Sequence, residues 1–136
     1  MNIQNVFSDK LTNKRSASWV DIRTTHTLSH LSAQYEDICQ EHELNKKWIL
    51  MINPEIESLD ALTKSTKVDI SKILKVDTNK TKIDLKNIES ALCNGNCSAV
   101  ILCNPSLRSE ELIQLNECAE KGKTACIVLT NNQKLH

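Results

Sequence analysis

Histidine and cysteine pairs are the first residues in this chain whose types and spacing could support chemistry. His26 and His30 lie four residues apart, so on a helix they could share one face and one metal ion. Cys93 and Cys97 resemble metal ligands, but they lack the CxxC spacing and a second ligand pair. Neither pair has a further ligand beside it. We therefore predict two solvated histidines, ordinary thiols, and no bound metal or other cofactor.

The residue patterns of common hydrolases and nucleotide-binding proteins are missing. The four histidines all fall outside the strands predicted below, which argues against a Ser-His-Asp arrangement. The chain has neither GxxxxGK[ST] nor GxGxxG, and its two glycines, Gly95 and Gly122, stand at predicted helix ends. Many α/β proteins hold a phosphate after a strand, yet here that junction reads Ile52-Asn53-Pro54-Glu55, without glycine. We expect no phosphate cradle and no enzyme activity.

Two aspartates near predicted strand ends allow an acidic pocket or a purely structural role. Asp69 and Asp77 stand at the ends of predicted short loops near the rim of the sheet. In that position they could form an acidic pocket like that of a domain that accepts a phosphoryl group. Such a pocket would also need a second acidic residue after the first strand and a lysine after the last. The sequence lacks that pattern, so we favour helix capping or turn formation for both residues.

Lysines cluster around the first predicted strand and the segment that follows its helix. This cluster consists of Lys46, Lys47, Lys64, Lys67 and Lys72. A solvated face is the simplest interpretation, and a surface that attracts an acidic partner is the alternative.

Two apolar residues are candidates for exposure. They are Trp19 and Leu62. Trp19 stands in a polar segment, where it either packs on its own domain or anchors a partner.

Composition limits the function classes further. The 136 residues suit one domain, and with 40% hydrophobic but only 3% aromatic residues the core must be mostly aliphatic. With 17 basic and 17 acidic residues the formal charge is zero, so we expect no general attraction to nucleic acid or to a membrane surface. Apolar runs too short to cross a bilayer, and an N-terminus without a signal-peptide core, predict a cytoplasmic protein. Cysteines 97, 103 and 126 fall in or beside apolar strands, which predicts small core thiols.

The elements that must position these groups alternate along the chain. Strands are predicted at residues 48–53, 73–76, 99–103 and 125–130, and helices at residues 29–45, 55–65, 80–93 and 109–121. Short links between them predict an α/β fold with a small, mainly parallel sheet of about four strands and flanking helices. SAVILC and ACIVLT are apolar without alternation, as strands covered on both faces should be. Ser109 is a candidate N-cap, and Gly122 a candidate helix stop.

The domain boundary is predicted from the first polar segment. Residues 1–28 show no useful period and predict a flexible N-terminal arm. Residues 29–136 then form a single α/β domain with a lead-in helix and a short C-terminal tail. Because a sheet of this size leaves edges or faces exposed, a homodimer or docking onto another protein is expected.

The order of these features resembles the SulA family, the SOS-induced inhibitors of bacterial cell division. The resemblance rests on KKWILMINP, VDISKILKV, KNIESALCNGNCSAVI and RSEEL leading through a helix to TACIVLT, over about residues 45–130. It implies a RecA-like α/β domain that has lost its phosphate-binding loop, in keeping with the junction at Asn53 and Pro54.

The resemblance also implies a partner and the residues that bind it. SulA-like proteins bind FtsZ, the tubulin-like GTPase of the division ring, where the next subunit would add, and so block polymerisation and GTP turnover. The family's binding residues fall on Lys47, Ile52, Leu62 and Lys72. The family has an aromatic at the position of Leu62, and because aromatic anchors carry much of an interface's energy, this departure bears on affinity and docking pose. Ile52 is equally consistent with a place in the core.

Three functional hypotheses follow from the sequence. The first is an inhibitor that binds FtsZ, with the C-terminal tail NNQKLH resembling the family's recognition signal for Lon protease. The second is a RecA-like accessory or scaffold protein of the DNA-damage response with a different repair partner. The third is an enzyme or nucleotide-binding protein that reaches phosphate through lysines, which the missing glycine turn disfavours.

Overall fold

The fold is a five-stranded sheet with helices on both faces. The computed structural model describes residues 18–43, 45–65, 68–77 and 84–131. Along the chain the elements are β1 (Val20–Thr25), α1 (Leu28–Glu41), β2 (Trp48–Ile52), α2 (Ile56–Thr63), a 3-10 turn (Ile70–Lys72), β3 (Ile73–Val76), α3 (Leu85–Cys93), β4 (Cys97–Cys103), α4 (Ser109–Gly122) and β5 (Ala125–Asn131).

All described strand pairs are parallel, in the order β1-β5-β4-β2-β3. Strand β4 lies at the centre, and all seven of its residues are buried. Its continuous apolar run correctly predicted a strand covered on both faces. The predicted α/β class with a mainly parallel sheet is confirmed.

Two aliphatic cores lie on the two faces of the sheet. Because side chains alternate along a strand, Val100 and Leu102 face α3 and α4, whereas Ile101 and Cys103 face α1 and α2. The first core also contains Ile88 and Leu92 of α3, which were predicted to lie on its inward face. Each helix therefore buries an apolar stripe against one side of the sheet.

Strand β1 corrects the predicted N-terminal arm. The expectation of a flexible segment over residues 1–28 is wrong for Val20–Thr25, which pair in parallel with β5. The backbone N–H groups of Trp19 and Val20 both donate to Asn116 Oδ1, at 2.8 Å and 3.2 Å. Local sequence could not show this strand, because its polar residues lie at a sheet edge and its partners are about a hundred residues away. Residues 1–17 of the predicted arm lie outside the described part of the chain.

The start of α4 differs by one residue from the prediction. Arg108, and not Ser109, is the N-cap residue, and its backbone N–H donates to Glu111 Oε1 at 2.8 Å. This is the reciprocal half of a capping box, in which a carboxylate three residues into the helix reaches back to the cap.

Gly95 and Gly122 have different structural roles. Gly95 follows α3 with a φ of 76°, the left-handed conformation that a helix-ending glycine supplies. Gly122 is instead the last residue of α4, and Lys123 takes the left-handed conformation with a φ of 54°. A Cβ on Gly122 would collide with the carbonyl oxygen of Leu92, so this glycine permits close approach of α3 and α4.

Candidate functional site

An exposed aromatic and a lysine lie together where β2 and β3 begin. The parallel register pairs Ile49 with Ile73, which places Trp48 beside Lys72. Both residues lie at the end of the sheet where the parallel strands begin, which we call the amino edge. The Lys72 ammonium nitrogen lies 5.2 Å from the centroid of the Trp48 ring, within the range of a cation–π contact. Trp48 nevertheless remains 38% exposed. We name Lys47, Trp48 and Lys72 the amino-edge patch.

A short capped turn delivers Lys72 to this position. Asp69 is the N-cap of the 3-10 turn, where its Oδ1 accepts from the Ser71 backbone N–H at 3.0 Å. That hydrogen bond, more than the charge of Lys72, lowers the pKa of the Asp69 carboxyl group. The capping role predicted for Asp69 is confirmed, and Asp77 likewise has a local partner in Lys75 at 3.2 Å.

The cleft beside the amino-edge patch carries charges of both signs. Lys47 and Lys72 line this cleft of about 60 Å³ together with the carboxylates of Glu43 and Asp69 and the half-buried His42. Lys46 and Lys47 are exposed, and the ion pairs found within the described residues use neither of them, nor Lys72. Exposed ammonium groups that make no ion pair among the described residues and lie beside an aromatic ring favour a partner that carries carboxylates.

The structure separates the four residues that the resemblance assigned to partner binding. Lys47 and Lys72 come together on the surface. Ile52 is 5% exposed in the core beneath α3 and α4, and Leu62 is 1% exposed in the opposite core beneath α1 and α2. The expectation of an exposed Leu62 is wrong, because the last turn of α2 packs onto the sheet.

The role of Trp48 as a surface residue was not apparent from the sequence. The sequence identified Trp48 only as the start of a strand. Its contact with Lys72, 24 residues later in the chain, depends on the register between β2 and β3. A tryptophan directly after Lys46 and Lys47 was the available signal. Trp19, by contrast, is half-buried and packs on the core under α3 and α4, so of its two predicted roles the structure supports docking on its own domain.

The opposite end of β2 is filled by the protein's own groups. Asn53 adopts a left-handed φ of 55°, and its N–H donates to the Val76 carbonyl oxygen at 2.8 Å. Pro54 is buried. The next backbone donor, Glu55 N–H, is taken by the hydroxyl of the fully buried Tyr35 at 3.1 Å. The N–H groups of Asn53 and Glu55 are therefore already occupied by groups of the protein, and Glu55 Oε1 accepts from the Ser58 N–H at 2.7 Å.

Burial keeps the groups behind this corner neutral. The Tyr35 hydroxyl lies 3.5 Å from Cys103 Sγ. Burial raises the pKa of the Tyr35 hydroxyl well above its ordinary value and that of the Cys103 thiol to about 11. The predicted core thiols are confirmed, since Cys97, Cys103 and Cys126 are free and buried.

The histidine and cysteine pairs form no metal site in the part of the chain that the structure describes. The rings of His26 and His30 lie 6.3 Å apart at the solvent-exposed start of α1. Cys93 is exposed, whereas Cys97 is buried at the start of β4. The described helices also include none with the length and apolar character needed to span a membrane.

Fold and site define a small parallel α/β domain that lacks a glycine cradle and carries a basic, aromatic surface at its amino edge. The sequence model of a family described as "Cell division inhibitor SulA" matches residues 31–126. That match covers most of the chain, so this protein belongs to the SulA family of cell division inhibitors.

A solved structure supports the same fold. The crystal structure of SulA from Pseudomonas aeruginosa superposes with a TM-score of 0.68 at 16% identity, covering 85% of this chain and 100% of that one. No match to a curated protein was found. The resemblance inferred from the sequence is confirmed at the level of family and fold.

Proposed function

We propose that this protein is a cytoplasmic, SOS-induced inhibitor of cell division that binds FtsZ and blocks its polymerisation and GTPase activity. The observation that carries the proposal is membership of the SulA family over residues 31–126. Sequestration of this kind needs a binding surface and no catalytic group in the inhibitor.

The arrangement of the described residues suits such a role. At the corner after β2 the Glu55 N–H is engaged by Tyr35, and the junction has no glycine that would let the backbone approach a phosphate closely. Lys47, Trp48 and Lys72 lie at the amino edge, where charged groups steer an acidic partner and fix its register. A subunit of FtsZ held on this surface is removed from filament growth, and GTP turnover falls because it depends on contact between subunits.

The first experiment is a titration of FtsZ from the same organism with this protein in the presence of GTP. We expect pelleted polymer and GTP turnover to fall together and to saturate near equimolar inhibitor. Lys72→Ala should weaken inhibition by roughly threefold to tenfold, the range for loss of one charge at an interface. Lys86→Ala is the matched control, because Lys86 is exposed in the first turn of α3, at the carboxyl edge.

Unchanged assembly and turnover at a molar excess of folded protein would refute FtsZ as the partner. The first alternative would then be an accessory or scaffold protein of the DNA-damage response, and the second a protein that binds nucleotide through lysines. Equal inhibition by the wild type and Lys72→Ala would instead move the contact away from the amino-edge patch. Recognition of the tail by Lon and formation of a homodimer stay predictions, and residues 132–136 of that tail lie outside the described part of the chain.

A further inference from the structure

Trp48 is an unusual residue to leave exposed in this molecule. Aromatic residues make up only 3% of the chain, and there are two tryptophans. Trp19 packs on the core, while Trp48, the first residue of the apolar strand β2, keeps 38% of its surface exposed. A large, partly exposed aromatic beside lysines that make no ion pair within the described part of the chain is typical of an interface residue.

The backbone of Trp48 is fixed on both sides. Its N–H donates to the Asn96 carbonyl oxygen at 3.3 Å, and its carbonyl oxygen accepts from Ser98 Oγ at 3.4 Å. The Lys72 ammonium group then lies over the ring at 5.2 Å. A fixed backbone and a ring already in contact with Lys72 reduce the conformational freedom that Trp48 must lose on binding, which favours affinity.

The residue that takes the place of the family's aromatic cannot serve as an anchor. Leu62 is 1% exposed and contributes to the core beneath α1 and α2. Ile70 and Leu74, two residues before and after Lys72 in the sequence, are also exposed apolar residues, each at 42%.

We infer that Trp48, with Lys72 over its ring, is the aromatic anchor through which this chain binds FtsZ. This inference rests on the proposed function. It specifies the partner surface as an apolar pocket for the indole ring with carboxylates at its rim, which pair with Lys47 and Lys72.

Trp48→Ala tests the anchor in the full chain. We expect it to weaken inhibition of FtsZ assembly by about tenfold or more, as for truncation of a central aromatic. Ile56→Ala is the control, because Ile56 is 66% exposed at the opposite edge and should leave inhibition unchanged. The double variant Trp48→Ala/Lys72→Ala should lose less than the sum of the single losses, since the two side chains act as one unit.

Hydroxyl-radical footprinting of the wild-type protein supplies a test that needs no variant. Oxidation of Trp48 should fall when FtsZ is bound, whereas oxidation of Trp19 should stay constant. If the wild type inhibits FtsZ but Trp48 stays equally reactive, or Trp48→Ala inhibits within twofold of the wild type, the anchor is overturned and the proposed function stands. If the wild type itself fails to inhibit FtsZ, the proposed function fails, and the anchor fails with it.

Discussion

The two ends of strand β2 differ in how their polar and aromatic groups are used. At the carboxyl end, Asn53 N–H and Glu55 N–H both have partners within the chain, and Pro54 is buried. At the amino end, Trp48 is exposed, and Lys72 uses its charge on the Trp48 ring. In open parallel sheets, ligands usually bind beyond the carboxyl ends of the strands. Here the groups at that corner of β2 stabilise the fold, and those available to a partner lie at the other end.

The two ends of β2 should contribute unequally to the free energy of unfolding. A hydrogen-bonded, buried corner contributes more to the free energy of unfolding than a partly exposed aromatic does. Substitutions at the corner should therefore change mainly stability, and substitutions in the amino-edge patch should change binding more than stability.

Of the substitutions considered, Tyr35→Ala should lower the free energy of unfolding most. It removes a fully buried aromatic, and the expected loss in the free energy of unfolding is about 3–5 kcal/mol. Urea unfolding followed by circular dichroism measures it. Tyr35→Phe, which keeps the ring but leaves Glu55 N–H without the hydroxyl, should lose about 1–3 kcal/mol.

Trp48→Ala is the matched comparison at the amino end. Its loss in the free energy of unfolding should be clearly smaller than that of Tyr35→Ala, because Trp48 is 38% exposed whereas Tyr35 is fully buried. A loss at Trp48 equal to the loss at Tyr35 would contradict the assignment of stability to one end and binding to the other.

Two asparagines should respond alike, because the same conformation recurs after β2 and β4. Asn53 and Asn104 both precede a proline and have φ values of 55° and 49°. Their N–H groups donate to Val76 and Leu129 carbonyl oxygens, each at 2.8 Å.

Substitution of either asparagine by alanine should destabilise more than substitution by glycine, by about 1–2 kcal/mol. Alanine resists the left-handed conformation, and glycine accepts it. The same urea titration measures both pairs of variants. Equal stability of the alanine and glycine variants would show that backbone conformation does not limit either turn.

The smallest expected effect is a pH dependence at the amino end. Burial lowers the pKa of His42 below its ordinary value of 6.5, with Arg23 acting in the same direction and Glu41 opposing it. The unfolded chain therefore binds more protons than the folded one as the pH falls through 6.5 and toward the folded pKa, so stability decreases over that range. His42 also shares its cleft with further charged residues, namely Glu43, Lys47, Asp69 and Lys72.

Unfolding midpoints at pH 7.5 and 5.5 measure this effect. The wild type should lose stability at pH 5.5, and His42→Gln should lose less. Tyr35 and Cys103 at the corner stay neutral across this range, because their pKa values are raised. An identical loss in His42→Gln and the wild type would place the pH dependence elsewhere.

The sequence predicted the parts of the fold that local pattern controls. The apolar runs that became β2, β4 and β5 and the helical spacing of Ile88 and Leu92 in α3 were sufficient to place the elements and the parallel sheet. Strand β1 was missed, since its position depends on β5 and on Asn116, far along the chain. Leu62 was wrongly predicted to be exposed. Its burial depends on how α2 packs against the sheet, and the local sequence of one helical turn does not show that packing.

The candidate site divides in the same way. Lys47 and Lys72 were identified through resemblance to a family, and the glycine-free junction was visible directly in Ile52-Asn53-Pro54-Glu55. Composition and local periodicity were sufficient for the class of fold, the aliphatic core and the lack of a glycine cradle. The Tyr35 contact at the corner and the position of Trp48 beneath Lys72 could not be read in the same way, because both contacts join residues brought together by packing and strand register.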